Sequence, residues 1–225
     1  MSESYVEKEF RGEKFYFIRT PQIEELVNEI FADNYKVLAS GIKFKKGDVV
    51  LDLGACEGVF SIFMARLFPQ VKVLALEPVP RTYGQMMRNL ALAGCPNIEP
   101  HNIGVGKASE RITLFMGLNN YSGGSSAMLT YDPEKTAKVE VDVLSLDDVF
   151  EKFKIDRCRL LKIDIEGMEY DVLYNSTMLP RVDYLSGEFH MNWRLDHKGR
   201  RMDGLVNWVA NRTKVVAIES CRMAE

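Results

Sequence analysis

Two hydrophobic rhythms alternate along this chain of 225 residues. Over residues 21–38, Ile23, Leu26, Val27, Ile30 and Phe31 recur at three- and four-residue spacing, the mark of one helix face, and Pro21 suits its first turn. From residue 49 onward the pattern changes: 49–53 is a short apolar run, and 71–76, 159–163, 182–189 and 214–219 also predict strands. Runs of that kind suit strands covered on both faces. Helical stretches lie between or beside them, at 59–68, 81–93, 146–153, 166–174 and 203–211. Gly94 and Pro96 close the second of these. A third strand falls within 97–105. Strands alternating with helices imply right-handed crossovers and a parallel sheet.

The rhythm breaks in two places. Residues 10–19 predict a hairpin turning at Arg11-Gly12-Glu13, with a β-prone second arm. Residues 111–116 and 138–144 predict strands around a polar loop, 117–135, that contains Asn119 and Ser125. A loop this long in a compact domain usually carries function. The expected fold is α/β: a doubly wound, mostly parallel sheet with an inserted hairpin after the third strand. It forms a single domain, 1–225, with a hairpin and helix extension at 1–46 and a core at 47–225.

Composition narrows the partners. A net charge of -3 argues against a large basic footprint for nucleic acid and leaves a local basic patch open. No apolar run approaches membrane-spanning length. Residues 1–11 are charged and show no signal-peptide pattern. Cys56, Cys95, Cys158 and Cys221 are too far apart for a Cys-x-x-Cys motif, so a reduced, cytoplasmic setting is expected. Homodimerisation is left open.

Candidate chemistry centres on Asp52-Leu53-Gly54-Ala55-Cys56-Glu57-Gly58, a glycine-containing turn between a buried strand and a helix. Glu77 ends the next strand, where a carboxylate can accept both hydroxyls of a ribose. The unit reads as an adenosine-binding βαβ. A dinucleotide fingerprint would leave this turn uncharged for a pyrophosphate. Here Asp52 and Glu57 would repel one. S-adenosylmethionine has no phosphate and carries an ammonium and a sulfonium, so it is the expected cofactor, with S-adenosylhomocysteine as product.

These residues resemble the FkbM family of methyltransferases. The likeness runs from about Ile30 to His190. Its markers are the segment 50–58, Leu76-Glu77-Pro78-Val79-Pro80, Asn89-Leu90, Ser145-Leu146-Asp147 and Leu161-Lys162-Ile163-Asp164-Ile165-Glu166-Gly167-Met168-Glu169. The resemblance implies a seven-stranded, Rossmann-like methyltransferase sheet, S-adenosylmethionine as donor, and a small hydroxylated acceptor such as a sugar or polyketide. It departs from the pattern at Cys56-Glu57, where the family often has Asn-Ile. Only one strand is legible after the last helix, where that fold normally ends in a hairpin.

Site expectations follow. Asp52, Gly54, Ala55, Glu57 and Gly58 would take the amino-acid end of the cofactor. Glu77 and Pro78 would take the ribose, and Asn102 and Ile103 the adenine edge. Asp164 and Glu166, at a strand's carboxyl end, would lie near the donor methyl. His190 or Asp164 is the candidate general base, and Lys162 alternates with Asp164 on the same strand. Tyr35, Asn119, Ser125 and Glu188 are candidate acceptor contacts. Tyr35 and Glu29 could equally belong to an amphipathic helix packed on the sheet, Glu169 to a helix's N-terminal charge, and Lys162 to a snorkelling lysine. No metal is expected, because spacing alone does not show that Asp164, Glu188 and His190 converge. An N- or C-methyltransferase, a non-catalytic cofactor-binding domain and a nicotinamide dehydrogenase stay open at this stage.

Overall fold

The computed structural model describes residues 4–117, 136–191, 197 and 199–222. The chain opens with a hairpin, β1 (Tyr5–Phe10) and β2 (Glu13–Ile18), followed by α1 (Ile23–Asp33). Then come β3 (Val49–Leu53), α2 (Val59–Leu67), β4 (Lys72–Leu76), α3 (Pro80–Ala93) and β5 (Ile98–His101). A second group is β6 (Gly104–Gly106), β7 (Glu110–Gly117) and β8 (Thr136–Ser145). The chain continues through α4 (Leu146–Lys152), β9 (Cys158–Ile163), α5 (Glu169–Asn175), β10 (Val182–Met191), α6 (Met202–Ala210) and β11 (Lys214–Arg222).

The central sheet has six strands in the order β11-β10-β9-β3-β4-β5, and every neighbouring pair is parallel. Alternate residues of its middle strands feed opposite cores, because successive side chains point to opposite faces. Val50, Val73, Ala75 and Leu160 face one apolar cluster, shared with Phe15, Phe17, Ile30, Phe31 and Phe63 of the hairpin, α1 and α2. Leu51, Leu53, Leu74, Leu76, Leu161 and Ile163 face the other, closed by Val149, Leu173, Leu205 and Val209 of α4 to α6. The doubly wound architecture expected from the apolar runs is therefore present, and the hairpin is built into one of its two cores.

Several boundaries differ from the sequence reading. The helix expected over 21–38 stops at Asp33. Asn34, Tyr35 and Lys36 then take left-handed backbone conformations, with φ of 44°, 49° and 56°. Asn34 makes the turn affordable: its Oδ1 accepts the Leu38 amide at 3.1 Å, replacing a lost helical bond. The third strand is cut in two at Asn102, so β5 stays in the main sheet while β6 pairs in parallel with β8. The inserted hairpin, β7 with β8, thus belongs to a separate three-stranded sheet. The helix expected from residue 166 begins at Glu169, because Glu166 and Gly167 hold φ of 56° and 99°. Among the described residues the main sheet has six strands rather than seven, and β11 lies directly against β10. Asn119 and Ser125 lie outside the described residues.

The close spacing of β9 and β10 depends on Gly187. A Cβ there would sit 2.1 Å from the carbonyl oxygen of Ile163. Backbone cannot yield as a flexible side chain can, so Gly187→Ala should cost about 1–3 kcal/mol as an overpacking change. Urea unfolding would show this as a lower midpoint at unchanged slope. A midpoint equal to wild type would mean that the strands can separate freely.

Candidate active site

The chain leaves β3 toward β4 and β5, then returns across β3 to form β9. The carboxyl ends of β3 and β9 therefore flank the switch point, where open parallel sheets bind ligands. Gly54 sits there with φ of 76°, and a Cβ on it would fall 1.8 Å from the Asp164 carbonyl oxygen. Its lack of a side chain is thus demanded by the chain leaving β9. The Gly54 and Ala55 amides donate to the Leu76 carbonyl at 3.1 and 3.0 Å, fixing the turn to the end of β4. Gly58, with φ of 83°, starts α2 and packs on Met86.

Beneath the turn runs a buried polar ladder. Asp52, Lys162 and Ser186 are register partners on β3, β9 and β10. The Lys162 ammonium, 3% exposed, donates to the Gly54 carbonyl at 2.7 Å and lies 3.2 Å from Asp52 Oδ1. The Asp52 contact is a charge contact, since that oxygen has no hydrogen-bond partner, whereas its Oδ2 accepts from Ser61 at 2.7 Å. Asp164 Oδ2 is 3.9 Å from Lys162, and the Tyr35 ring lies 5.3 Å from the ammonium. Burial alone would lower the Lys162 pKa, but the charges of Asp52 and Asp164 outweigh it and raise it. Lys162 is therefore an inward cation with its head group engaged by protein, and the snorkelling reading is corrected.

The extension reaches the site through Tyr35. Its hydroxyl donates to Asp164 Oδ2 at 2.8 Å, and its carbonyl accepts from Ser186 Oγ at 2.7 Å. Burial, then the Asp164 charge and hydrogen bond, raise the phenol well above its usual pKa, so it remains a donor. Glu29 on α1 is solvent-exposed at the rim. Its pKa is raised by partial desolvation and then by the charges of Asp164 and Glu188. Both residues thus face the carboxyl ends of the strands.

Glu77 is 6% exposed and accepts the Cys56 amide at 3.0 Å and the Val79 amide at 2.9 Å. Desolvation raises it to about 7 against those hydrogen bonds. Asn102 is exposed, and its amide donates to the carbonyls of Glu77 and Pro78, each at 2.9 Å. It ties the ends of β4 and β5 together, and Ile103 beside it packs partly into the second core. Glu57 corrects an expectation. It is 2% exposed and accepts from Thr20 Oγ1 at 2.9 and 3.1 Å, so its carboxyl serves the extension. Burial raises its pKa and the Thr20 bond opposes that rise.

On the far side of the crevice His190, 4% exposed, is gripped by Glu169, which has no exposed surface. Nδ1 and Glu169 Oε1 are hydrogen-bonded at 2.9 Å. The same carboxylate accepts the amides of Ile165 and Gly167 at 3.0 to 3.2 Å. Glu169 is therefore the anchor of the turn after β9, a larger role than a helix-terminal charge. Burial would lower His190, but the Glu169 hydrogen bond and charge, then Asp164 and Glu166, raise it to about 10. Glu188 on β10 has a raised pKa, first from desolvation and then from the Asp164 charge.

The sequence reading missed Thr20, Ser61, Glu169's anchoring role and Ser186. Thr20 was findable as a Thr preceding Pro21 at a helix start, and its Oγ1 accepts the Ile23 amide at 3.1 Å. Ser61 and Ser186 carry no local signal, since their partners come from other elements. Asn89, a family marker, is a buried clamp: it donates to the Glu57 carbonyl at 2.8 Å and accepts the Ile18 amide at 2.9 Å.

Because the Lys162 charge is buried and paired, Lys162→Met should cost about 3–5 kcal/mol by stranding Asp52. The double variant with Asp52→Asn should recover part of that loss, as chemical denaturation of both would show. Equal stability of wild type and Lys162→Met would remove the charge ladder from the fold's supports.

A family model described as the methyltransferase FkbM domain matches residues 52–216. Methyltransferase 1 of Beauveria bassiana is 30% identical over 170 residues, which are 68% of this chain and 66% of that protein. The chain thus spans about two thirds of that relative's length. The 31-O-demethyl-FK506 methyltransferase FkbM of Streptomyces tacrolimicus is 28% identical over 205 residues, 77% of this chain and 76% of that one. A solved precorrin-6y C5,15-methyltransferase from Geobacter metallireducens is 14% identical, covering 67% of this chain and 57% of its own, with a TM-score of 0.38. With the glycine turn, the β9 carboxylates and the β10 histidine all inside the matched span, the chain belongs to the FkbM methyltransferase domain family.

Proposed function

We propose that the chain transfers the methyl group of S-adenosylmethionine to a hydroxyl oxygen of a small-molecule acceptor. The observation that carries this reading is the sign of the crevice at the switch point. Glu29, Asp52, Asp164, Glu166, Glu169 and Glu188 surround it, against the cations Lys162 and His190. Such a crevice repels a pyrophosphate and suits a ligand bearing a sulfonium and an ammonium. Family membership supports methyl transfer, and a relative whose name describes a 31-O-demethyl substrate supports an oxygen acceptor.

In this reading Asp52, Gly54, Ala55 and Gly58 shape the seat of the amino-acid end. Glu77 uses its remaining lone pairs for the ribose, beside Pro78. Asn102 spends its side-chain amide on backbone carbonyls, so Ile103 and the local backbone border the adenine. Tyr35, Glu188 and Glu166 line the acceptor side. The S–CH₃ bond breaks and its electron pair returns to sulfur, giving neutral S-adenosylhomocysteine. The O–CH₃ bond forms, and the hydroxyl proton passes to a carboxylate. That carboxylate is Asp164, oriented by the Tyr35 hydroxyl and the Lys162 charge. His190, held as a cation by Glu169, is not the base. Most of the rate comes from in-line orientation, worth up to about 10 kcal/mol in favourable cases.

Asp164→Asn should lower kcat/KM about 10²–10⁴-fold with the fold intact, and Tyr35→Phe should lower it about tenfold through one lost hydrogen bond. The assay is labelled methyl transfer to panels of hydroxylated and amine compounds. Transfer to amines alone would replace the oxygen acceptor, and cofactor binding without any transfer would replace catalysis.

Glu77 gives a pH signature. Its folded pKa, about 7, is raised, and ribose hydroxyls bind the ionised form. Cofactor binding should therefore tighten as pH rises toward and through 7, and weaken by up to about tenfold per unit below it. Calorimetric titrations at several pH values check this, and Glu77→Gln should flatten the profile. A flat profile in the wild type would take Glu77 out of the cofactor site.

A further inference from the structure

The amino end of the main sheet carries charge of the opposite sign to the crevice. Where β9, β10 and β11 begin, they surround a cavity of about 370 Å³. Four cations line it, Arg157, Arg159, Arg212 and Lys214, against one acid, Asp183. The exposed Lys43, Lys45 and Lys46 lie on the adjoining segment, whose Lys43 carbonyl accepts from Arg159 at 3.0 Å. In a chain of net charge -3, bases gathered in this way at one end mark a segregation of charge. The volume falls within the range of roughly 300–1,000 Å³ typical of small-molecule sites.

The cations are held in place more than they are neutralised. Arg157 Nε donates to Asp183 Oδ1 at 2.6 Å, and Arg159 Nη1 donates to Asp183 Oδ2 at 2.9 Å. Burial would raise the Asp183 pKa, but hydrogen bonds from Arg157 and Arg159, then their charges, outweigh it and lower it. Arg159 spends its other groups on the Lys43 carbonyl and on Asp48, 3.6 Å from its Nε. Arg212 stacks on the Trp208 ring at 3.9 Å and donates through Nη1 to the Trp208 carbonyl at 2.9 Å. The plane of its guanidinium is thereby fixed. The Tyr184 ring lies 4.9 Å from Arg159 and 5.5 Å from the Lys214 ammonium. Among the described residues, Asp183 and Asp48 pair with the arginines at the start of β9, and no acid pairs with Arg212 or Lys214.

We propose that this cavity binds a phosphate group, free or carried on a small molecule, with Arg157, Arg212 and Lys214 as its contacts. A guanidinium stacked on one face keeps an edge for two parallel N–H···O bonds, a geometry that matches phosphate, and the lysine adds a point charge. Cations gathered around one concavity repel one another, and a dianion relieves more of that repulsion than a carboxylate does. Donors already held by Trp208 and Asp183 lose little freedom on binding. The site is separate from the crevice. Strands rise about 3.3 Å per residue, which puts Arg157 roughly 20 Å from Asp164 at the other end of β9. A ligand held here therefore lies out of reach of the donor methyl, and the site does not depend on the methyl-transfer reading.

The test uses the full chain in phosphate-free buffer, titrated calorimetrically with inorganic phosphate and, separately, with ribose 5-phosphate. Saturable binding of one ligand per chain, with a dissociation constant below about 1 mM, is expected for at least one probe. Tighter binding of ribose 5-phosphate assigns the site to a phosphorylated small molecule, and equal or weaker binding assigns it to free phosphate. Arg212→Gln and Lys214→Gln, both at exposed positions, should each weaken binding at least about tenfold. S-adenosylmethionine affinity should be unchanged in both variants, and a matching loss there would overturn the separation of the two sites. Should Arg212→Gln lose its fold with its stacking on Trp208, the Tyr184 ring resonances of the wild type should still shift on phosphate addition. No saturation by either probe at about 10 mM, or binding unchanged in both variants, overturns the site. Binding of a single-stranded oligonucleotide or of phosphatidylserine vesicles, with neither small probe bound, overturns it as well and makes the basic end a macromolecular surface.

Discussion

The buried ammonium of Lys162 constrains everything around it. A charge inside a core is tolerated only with partners in good geometry, and each partner here belongs to a different element. Asp52 comes from β3, the Gly54 carbonyl from the turn, Asp164 from the end of β9, and the Tyr35 ring from the extension. Satisfying one cation therefore sets the register of β3 against β9, closes the glycine turn and brings the N-terminal segment onto the strand ends. Ser186 completes the ladder by holding the Tyr35 carbonyl at 2.7 Å.

The crowding that follows explains the backbone. With Asp164's carbonyl lying over Gly54, neither turn at the switch point can relax independently. Cys56, Glu166 and Tyr35 hold positive φ of 51°, 56° and 49°, all at this junction. Conformations of that kind cost of order 1–3 kcal/mol each and persist where surrounding bonds over-determine them. Those bonds are visible: Glu77 takes the Cys56 amide, Glu169 holds the amides flanking Glu166, and Ser186 and Asp164 hold Tyr35. The carboxylates thus have two duties, fixing strained turns and giving the crevice its sign.

Legibility in the sequence followed the range of the interaction. The short apolar runs at 49–53, 71–76 and 159–163 matched parallel strands because burial on both faces is written locally. Helix ends were less legible. The stop at Asp33 and the late start at Glu169 depend on left-handed residues whose partners lie on other strands or across a turn. The third strand read as one piece because nothing local marks Asn102 as the point where the chain changes sheets. Asp164, Glu188 and His190 were found as strand-end residues, yet their grouping and the grip of Glu169 on His190 arise only when β9 and β10 align. Thr20 was missed although its helix-start signal was present. Ser186, buried in an apolar run, offered no signal at all.

Glu57 shows how the extension and the turn are coupled. A carboxylate in the glycine turn, at a departure from the family pattern, looks at first like a change in ligand chemistry. Its geometry says otherwise. Thr20 donates to both of its oxygens while accepting the Ile23 amide at the start of α1, and Asn89 binds the Glu57 carbonyl while accepting from Ile18 of β2. The acid at 57 is thus one end of a chain of bonds running from the hairpin through α3 to the glycine turn. It alters what holds the turn and leaves the acids Asp52 and Glu77 in place on the sheet. A burial that raises the Glu57 pKa is tolerated because Thr20 supplies a donor, so the residue and its partner form a single structural unit. The departure from the family pattern at this position therefore belongs to the extension, and the charge of the crevice comes from the carboxylates at the ends of β3, β4, β9 and β10.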